Sequence, residues 1–210
     1  MIISSGRALV LAPHTDDGEI ACGATIARLV ENGIEVHYIA FSICEESIPK
    51  GFPRDILASE VMDATKELGI LPENVRVHRF PVRRFPTYRQ EILEELVKAN
   101  REIAPELVML PCGFDIHQDH ATIHQEGIRA FKRNTIIGYE LPTNNLESKL
   151  SLYVSVLPSE MEKKKIAISK YKSQAHRMPA FDDCMALADL RGRQSGTALA
   201  EAFQVIRWVA

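Results

Sequence analysis

The sequence predicts an α/β protein: a single-domain, Rossmann-like three-layer sandwich around a mostly parallel central sheet. Three observations point there. Apolar runs of strand length alternate with longer segments of helical period, the pattern left by parallel strands and their covering helices. The first run, residues 7 to 13 (RALVLAP), is apolar almost throughout, as a strand covered on both faces must be. At 210 residues and 46% hydrophobic content the chain is long enough to bury a full core, and residues 1–210 read as one domain.

The elements follow in order. Residues 24 to 32 (ATIARLVEN) have helical spacing and stop at Gly33. A second strand over 35 to 42 (EVHYIAFS), a helix over 55 to 69 ending at Gly69, and a third strand over 75 to 80 (VRVHRF) come next. Helix 89 to 103 leads to a fourth strand at 107 to 111 (LVMLP). A helix from about Ala121 to Lys132 and a strand near 135 to 141 (TIIGYEL) continue the alternation. Segment 152 to 157 (LYVSVL), a basic helix over 160 to 173, and 197 to 209 close the chain, with no internal repeat or low-complexity linker.

Charge narrows the partners. A net charge of -3 with pI near 6.2 gives no electrostatic footprint for nucleic acid or an anionic membrane, and argues against a polyanionic substrate. No run approaches the ~20 apolar residues of a membrane span, and the first residues lack a basic segment before a long apolar stretch, so a cytoplasmic protein is expected. Cys22, Cys44, Cys112 and Cys184 lack CxxC spacing, which predicts free thiols rather than a disulfide framework or a cysteine zinc site. Composition leaves a homo-oligomer open.

The segments 44 to 54 (CEESIPKGFPR) and 81 to 88 (PVRRFPTY) are rich in proline and charge, and each follows a predicted strand. Both read as loops over one sheet edge. Ligands of open α/β sheets settle outside the carboxyl ends of the strands, where strand order reverses. In the common order 3-2-1-4-5 that crevice lies between strands one and four. It would bring APHTDDGE, after strand one, opposite DIHQDH, after strand four.

The residue types in those two segments suit a catalytic metal. Catalytic zinc usually takes three nitrogen or oxygen ligands and keeps a fourth position for water. His14, Asp17 and His120 supply two imidazoles and a carboxylate for one zinc ion per chain. Asp16 is then available as general acid and base. His117 is the candidate for stabilising an oxyanion, with Asp119 expected to raise its pKa and hold its ring.

The same segments carry a family resemblance. APHTDDGEIACGATIARL resembles the N-terminal signature of the PIG-L/LmbE family of zinc-dependent N-deacetylases, His-Pro-Asp-Asp-Glu followed by a Gly-rich helix start, and DIHQDH resembles the second signature, His-x-Asp-His. KELGI is similar to the end of the family's second helix and LRGRQSGTALAEAFQVIRW to its C-terminal segment, so the likeness spans essentially the whole chain. It implies zinc on His14, Asp17 and His120, Asp16 as general base and His117 beside the oxyanion. It further implies a small-molecule N-acetylated sugar or sugar conjugate as substrate, hydrolysed to acetate and a free amine. Two positions depart from the pattern: Thr15 replaces the usual proline, and Gly18 stands where glutamate is common, with Glu19 displaced by one. Arg54 after strand two, and Tyr139, Glu140 and Asn144 near strand five, are candidate substrate contacts.

Each residue also has a plainer role. Asp16 and Asp17 could cap a helix beginning near Gly23, and Asp119 the helix from Ala121. His124, one turn after His120, is read as no ligand, since a fourth would close the water position. His37 and His78 lie within strands and read as structural, His176 is a pocket candidate, and Lys163, Lys164 and Lys165 read as a solvated helix face. A nucleotide-binding module is disfavoured because Gly18, Gly23 and Gly33 do not form GxGxxG and two acids would repel phosphate. A metal-dependent phosphoesterase would call for more bridging carboxylates.

Overall fold

Strand β1 (Arg7–His14) sends alternate side chains into two apolar layers, as the two-residue period of a strand requires. Ala8, Val10 and Ala12 enter one layer, Leu9 and Leu11 the other, and all five are fully buried. The computed structural model describes residues 6–176 and 181–209. After β1 come α1 (Asp17–Glu31), β2 (Glu35–Ser42), α2 (Ile56–Glu67), β3 (Val75–Val77), α3 (Arg89–Ile103), β4 (Leu107–Pro111) and α4 (Gln118–Ala130). The chain continues through β5 (Thr135–Tyr139), β6 (Leu152–Ser155), α5 (Pro158–Ser169), α6 (Phe181–Ser195) and β7 (Ala200–Arg207).

The seven strands form one sheet in the order β3-β2-β1-β4-β5-β7-β6. Strands β1 to β5 run parallel, and β7 is antiparallel to both β5 and β6. Helices α1, α2, α5 and α6 cover one face and α3 and α4 the other, giving three layers. The predicted order of the first five strands holds, so the crevice between β1 and β4 exists as expected. No described helix is long and apolar enough to cross a membrane, and the four cysteines are buried thiols outside any disulfide.

Four sequence expectations change. Helix α1 begins at Asp17 rather than residue 24, and Cys22 (φ -141°, ψ 28°) breaks it, so that the expected helix is its second part. The buried Glu201 carboxylate caps that part, accepting from Ala24 N at 3.2 Å and Thr25 N at 2.7 Å. Asp16 and Asp17 therefore do not cap it. Lys164 is no solvated cation either: it is buried and its Nζ lies 2.6 Å from the same Glu201 carboxylate. Gly23 makes room for it, since a Cβ there would stand 3.0 Å from Lys164 Cγ. Helix α4 starts at Gln118, with His117 rather than Asp119 as its cap.

Helix α6 has no counterpart in the sequence reading. Its apolar residues do not form one stripe, because it is apolar on two sides: Ala188 is packed into the core, Ala186, Leu187 and Leu190 line a cavity, and buried Cys184 borders that cavity as well. A bidentate ion pair fixes it, with Arg191 Nε 2.8 Å from Glu140 Oε1 and Nη2 2.6 Å from Oε2.

Candidate active site

His14 is the last residue of β1, and the chain turns through Thr15 and Asp16 into α1. Across the crevice, the loop after β4 delivers His117 and His120 at the start of α4. The two segments meet. His14 Nδ1 lies 3.2 Å from His120 Nε2, and Asp17 Oδ2 lies 3.3 Å from each of those nitrogens. Ligands about 2.0–2.1 Å from a tetrahedral zinc stand about 3.3–3.4 Å apart, so this triangle fits the ion.

The far nitrogen of each ring is also held by a carboxylate. His14 Nε2 is 3.1 Å from Asp119 Oδ2 and His120 Nδ1 is 2.7 Å from Asp115 Oδ2. Such carboxylate–histidine pairs orient metal-ligating imidazoles and raise their basicity. Burial opposes charge on both rings, but the Asp17 carboxylate outweighs it together with these partners. In the metal-free protein His14 is pushed up to about 9 and His120 to about 10. Burial would raise Asp17 as well, yet His120 and His14 hold it far below the usual carboxylate range.

The ring nitrogens of His14, His117 and His120 also lie within 4.8 Å of one another. His117 is nonetheless the poorer ligand. Its Nδ1 accepts from Asp119 N at 3.2 Å, which leaves the proton of the neutral ring on Nε2, a donor. Burial first, then the charges of His120 and His14, lower its pKa and keep it neutral. The Asp119 charge does raise His117 as expected, but burial and the other two imidazoles outweigh it, and the expected pairing is corrected because the carboxylate is directed to His14 instead. The Asp119 carboxylate is fully buried behind His14, where it also accepts from Arg83 N at 2.6 Å and Phe85 N at 3.1 Å. Asp119 thereby ties loop 81–88 to the cluster.

Asp16 stands at the N-terminal boundary of α1 without a side-chain cap bond and lines the cavity. Beneath it the displaced Glu19 finds its setting. Glu19 is fully buried and receives the hydroxyls of Tyr38 at 2.5 Å and Tyr171 at 2.8 Å. Both hydroxyls also reach the carbonyl of Thr15, at 2.9 and 2.7 Å. Burial pushes Glu19 up to about 8 against the two hydrogen bonds that lower it. Gly18 is accounted for by the same tyrosine: a Cβ there would lie 2.6 Å from Tyr38 Cε2 and Oη, so no side chain fits.

The cluster opens into a cavity of about 790 Å³ bordered by the predicted loops through Cys44, Ser47, Val82 and Arg83, and by Asn144 and α6. Other predicted contacts fall elsewhere. Arg54 lines a separate cleft of about 210 Å³, sharing only Val82 with the cavity. Tyr139 is buried and its hydroxyl donates to Leu11 O at 2.9 Å, which removes it as a sugar contact. Glu140 is committed to Arg191. His124 Nδ1 is held by Pro111 O at 2.8 Å and His176 is exposed, both outside the cavity lining. The sequence reading missed Asp115, five residues before His120, and Arg83, whose φ of +66° is rare for a residue with a side chain.

Fold and site together define a Rossmann-like α/β protein with a cluster fit to hold a metal ion in the crevice between β1 and β4. The sequence profile of the PIG-L family, described as GlcNAc-PI de-N-acetylase, matches residues 9–131, and the chain belongs to that family. It is 24% identical over 169 residues to the uncharacterized deacetylase YaiS of Escherichia coli K12, covering 79% of this chain and 90% of YaiS. The conserved protein TT1542 of Thermus thermophilus superposes with a TM-score of 0.82 at 24% identity, over 97% of this chain and 95% of that one. The N,N'-diacetylchitobiose deacetylase of Pyrococcus horikoshii gives 0.79 at 21% identity, over 95% and 83%. A 4-carboxy-2-hydroxymuconate hydratase of Pseudomonas putida, GalB, also gives 0.79, at 20% identity over 98% of both chains. These likenesses establish the fold, and the hydratase among them means the fold alone does not select the reaction.

Proposed function

We propose that the chain is a zinc-dependent N-deacetylase, with one ion per chain, that hydrolyses the acetamide of an amino sugar or sugar conjugate. The observation that carries this reading is the triangle of His14 Nδ1, Asp17 Oδ2 and His120 Nε2 with edges of 3.2–3.3 Å. Its two nitrogens and one oxygen suit zinc better than calcium or magnesium, which prefer all-oxygen sites. When bound there, the ion supplies Lewis acidity that acidifies water and polarises an acyl carbonyl.

The chain's own residues divide the remaining work. Asp16 accepts the proton of the attacking water and delivers it to the leaving amine. His117 donates through Nε2–H to the acetyl oxygen as negative charge develops, a role that a neutral ring with Nδ1 already engaged can fill. Asp119 is a positioning residue for His14, as Asp115 is for His120. Acetate and a free amine leave. Membership in a family described by a de-N-acetylase, and relatives named as deacetylases of which one acts on N,N'-diacetylchitobiose, support an N-acetylated sugar as substrate. Asn144 and Arg83 line the cavity where such a substrate would lie.

The test is acetate release from a panel of N-acetylated sugars and conjugates, with metal analysis on the same preparation. One zinc per chain and turnover of at least one panel member are expected. Two metals with phosphatase turnover, or no acetate from any member, would overturn the reading.

A further inference from the structure

We infer that the substrate carries an apolar group on its N-acylated amino sugar, and that helix α6 is the surface that receives it. This rests on the N-deacetylase reading and narrows its substrate class. Asp183, Ala186, Leu187 and Leu190 all line the cavity. They follow one another at i, i+3, i+4 and i+7, which places them on a single helix face.

That face is the second apolar side of α6. The other, with Ala188, is already packed into the core. Among the described residues the cavity-facing side is left partly open: Leu190 is 49% exposed although it lines the same cavity as His14, His117 and His120. Ile20, Val82 and Leu141 line the same cavity, so apolar surface extends beyond the helix. A sugar ring, with hydroxyls around its edge, would leave those leucines uncovered or strip water from hydroxyls without replacing it. An alkyl or aryl group removes both penalties. Size agrees, because about 790 Å³ is the scale of cavities that enclose a drug-sized ligand, more than a single acetamido sugar fills. The wall is also fixed in place, since Arg191, one turn beyond Leu187 on α6, is clamped to buried Glu140 by two hydrogen bonds.

The apolar group can sit on the glycosidic carbon or extend the acyl chain, and three sugars separate these sources: N-acetylglucosamine, its octyl glycoside below the micellar concentration, and N-octanoylglucosamine. We expect one of the two octyl compounds to exceed N-acetylglucosamine in kcat/KM by about tenfold or more. Leu187→Asp and Leu190→Asp should narrow that ratio. Calorimetry on zinc-loaded Asp16→Ala gives a readout independent of turnover, with the preferred octyl sugar binding at least as much more tightly. Hydrolysis of N-acetylglucosamine with neither octyl compound favoured in turnover or binding would overturn the inference and leave the deacetylase reading standing. Failure to hydrolyse any of the three, with no binding preference, would overturn both. An octyl preference unchanged in both leucine variants would show that α6 does not receive the apolar group.

Discussion

The carboxylate of Asp119 contacts the imidazole of His14, Oδ2 to Nε2 at 3.1 Å, and the same carboxylate holds the backbone of Arg83 and Phe85. One buried acid thus orients a proposed metal ligand and pins the loop that borders the cavity. Asp119→Asn keeps the shape but loses the charge. It should weaken zinc binding about 10–100-fold, measured by competition with a chelator. Unchanged affinity would mean that His14 is oriented without it.

Zinc affinity should rise with pH. His14 and His120 are raised to about 9 and about 10 in the metal-free protein, so at neutral pH both rings are protonated and the ion must displace protons to bind. Affinity therefore increases from pH 6 toward pH 9, with net proton release. Calorimetry in buffers of different ionisation enthalpy measures that release directly. Binding at pH 7 without proton release would contradict the pairing of both rings with carboxylates.

Glu19 predicts a pH dependence of stability with the opposite sense from an ordinary salt-bridged acid. Its pKa is about 8 in the folded protein against 4.5 as the ordinary value. The folded state therefore binds more protons in that window, and stability present below pH 4.5 is lost as pH rises through 8. Glu19→Gln, which stays neutral, should gain on the wild type by a few kcal/mol, as an order of magnitude, between about pH 5 and 8. Denaturant unfolding at several pH values checks this. A difference that does not grow with pH would mean that Glu19 is ionised in the fold.

Gly18→Ala should destabilise the protein by about 1–3 kcal/mol, because its Cβ would press on the Tyr38 ring, which is fully buried and has nowhere to retreat. Chemical denaturation measures the cost. A neutral substitution would show that Tyr38 can shift, and with it the hydrogen bonds to Thr15 and Glu19.

Much of this site is legible in the sequence because the sheet is. The apolar runs of β1 and β4 and the helices after them specify strand order, and that order brings His14 and His120 together from 106 positions apart. Side-chain direction at the start of α4 is not legible in the same way. Because the helix begins at Gln118, Asp119 turns inward toward His14 rather than toward His117, and Asp115 reaches His120 from the preceding loop. Tyr139 reads as an exposed contact at a strand end, yet it points into the core to Leu11. Helix α6 is hidden because a helix apolar on two sides has no single stripe to detect. Glu19 shows a third kind of gap: its displacement by one residue is visible, but the two tyrosines that receive it come from β2 and from beyond α5.

The division between ligand and base is tested most directly by measuring zinc content and acetate release side by side in the wild type, Asp16→Ala and His120→Ala. The wild type and Asp16→Ala should each hold one zinc per chain, with turnover of the latter reduced about 10²–10⁴-fold, while His120→Ala should lose both metal and activity. Equal loss of zinc and activity in Asp16→Ala, or a full equivalent of zinc in His120→Ala, would contradict the account.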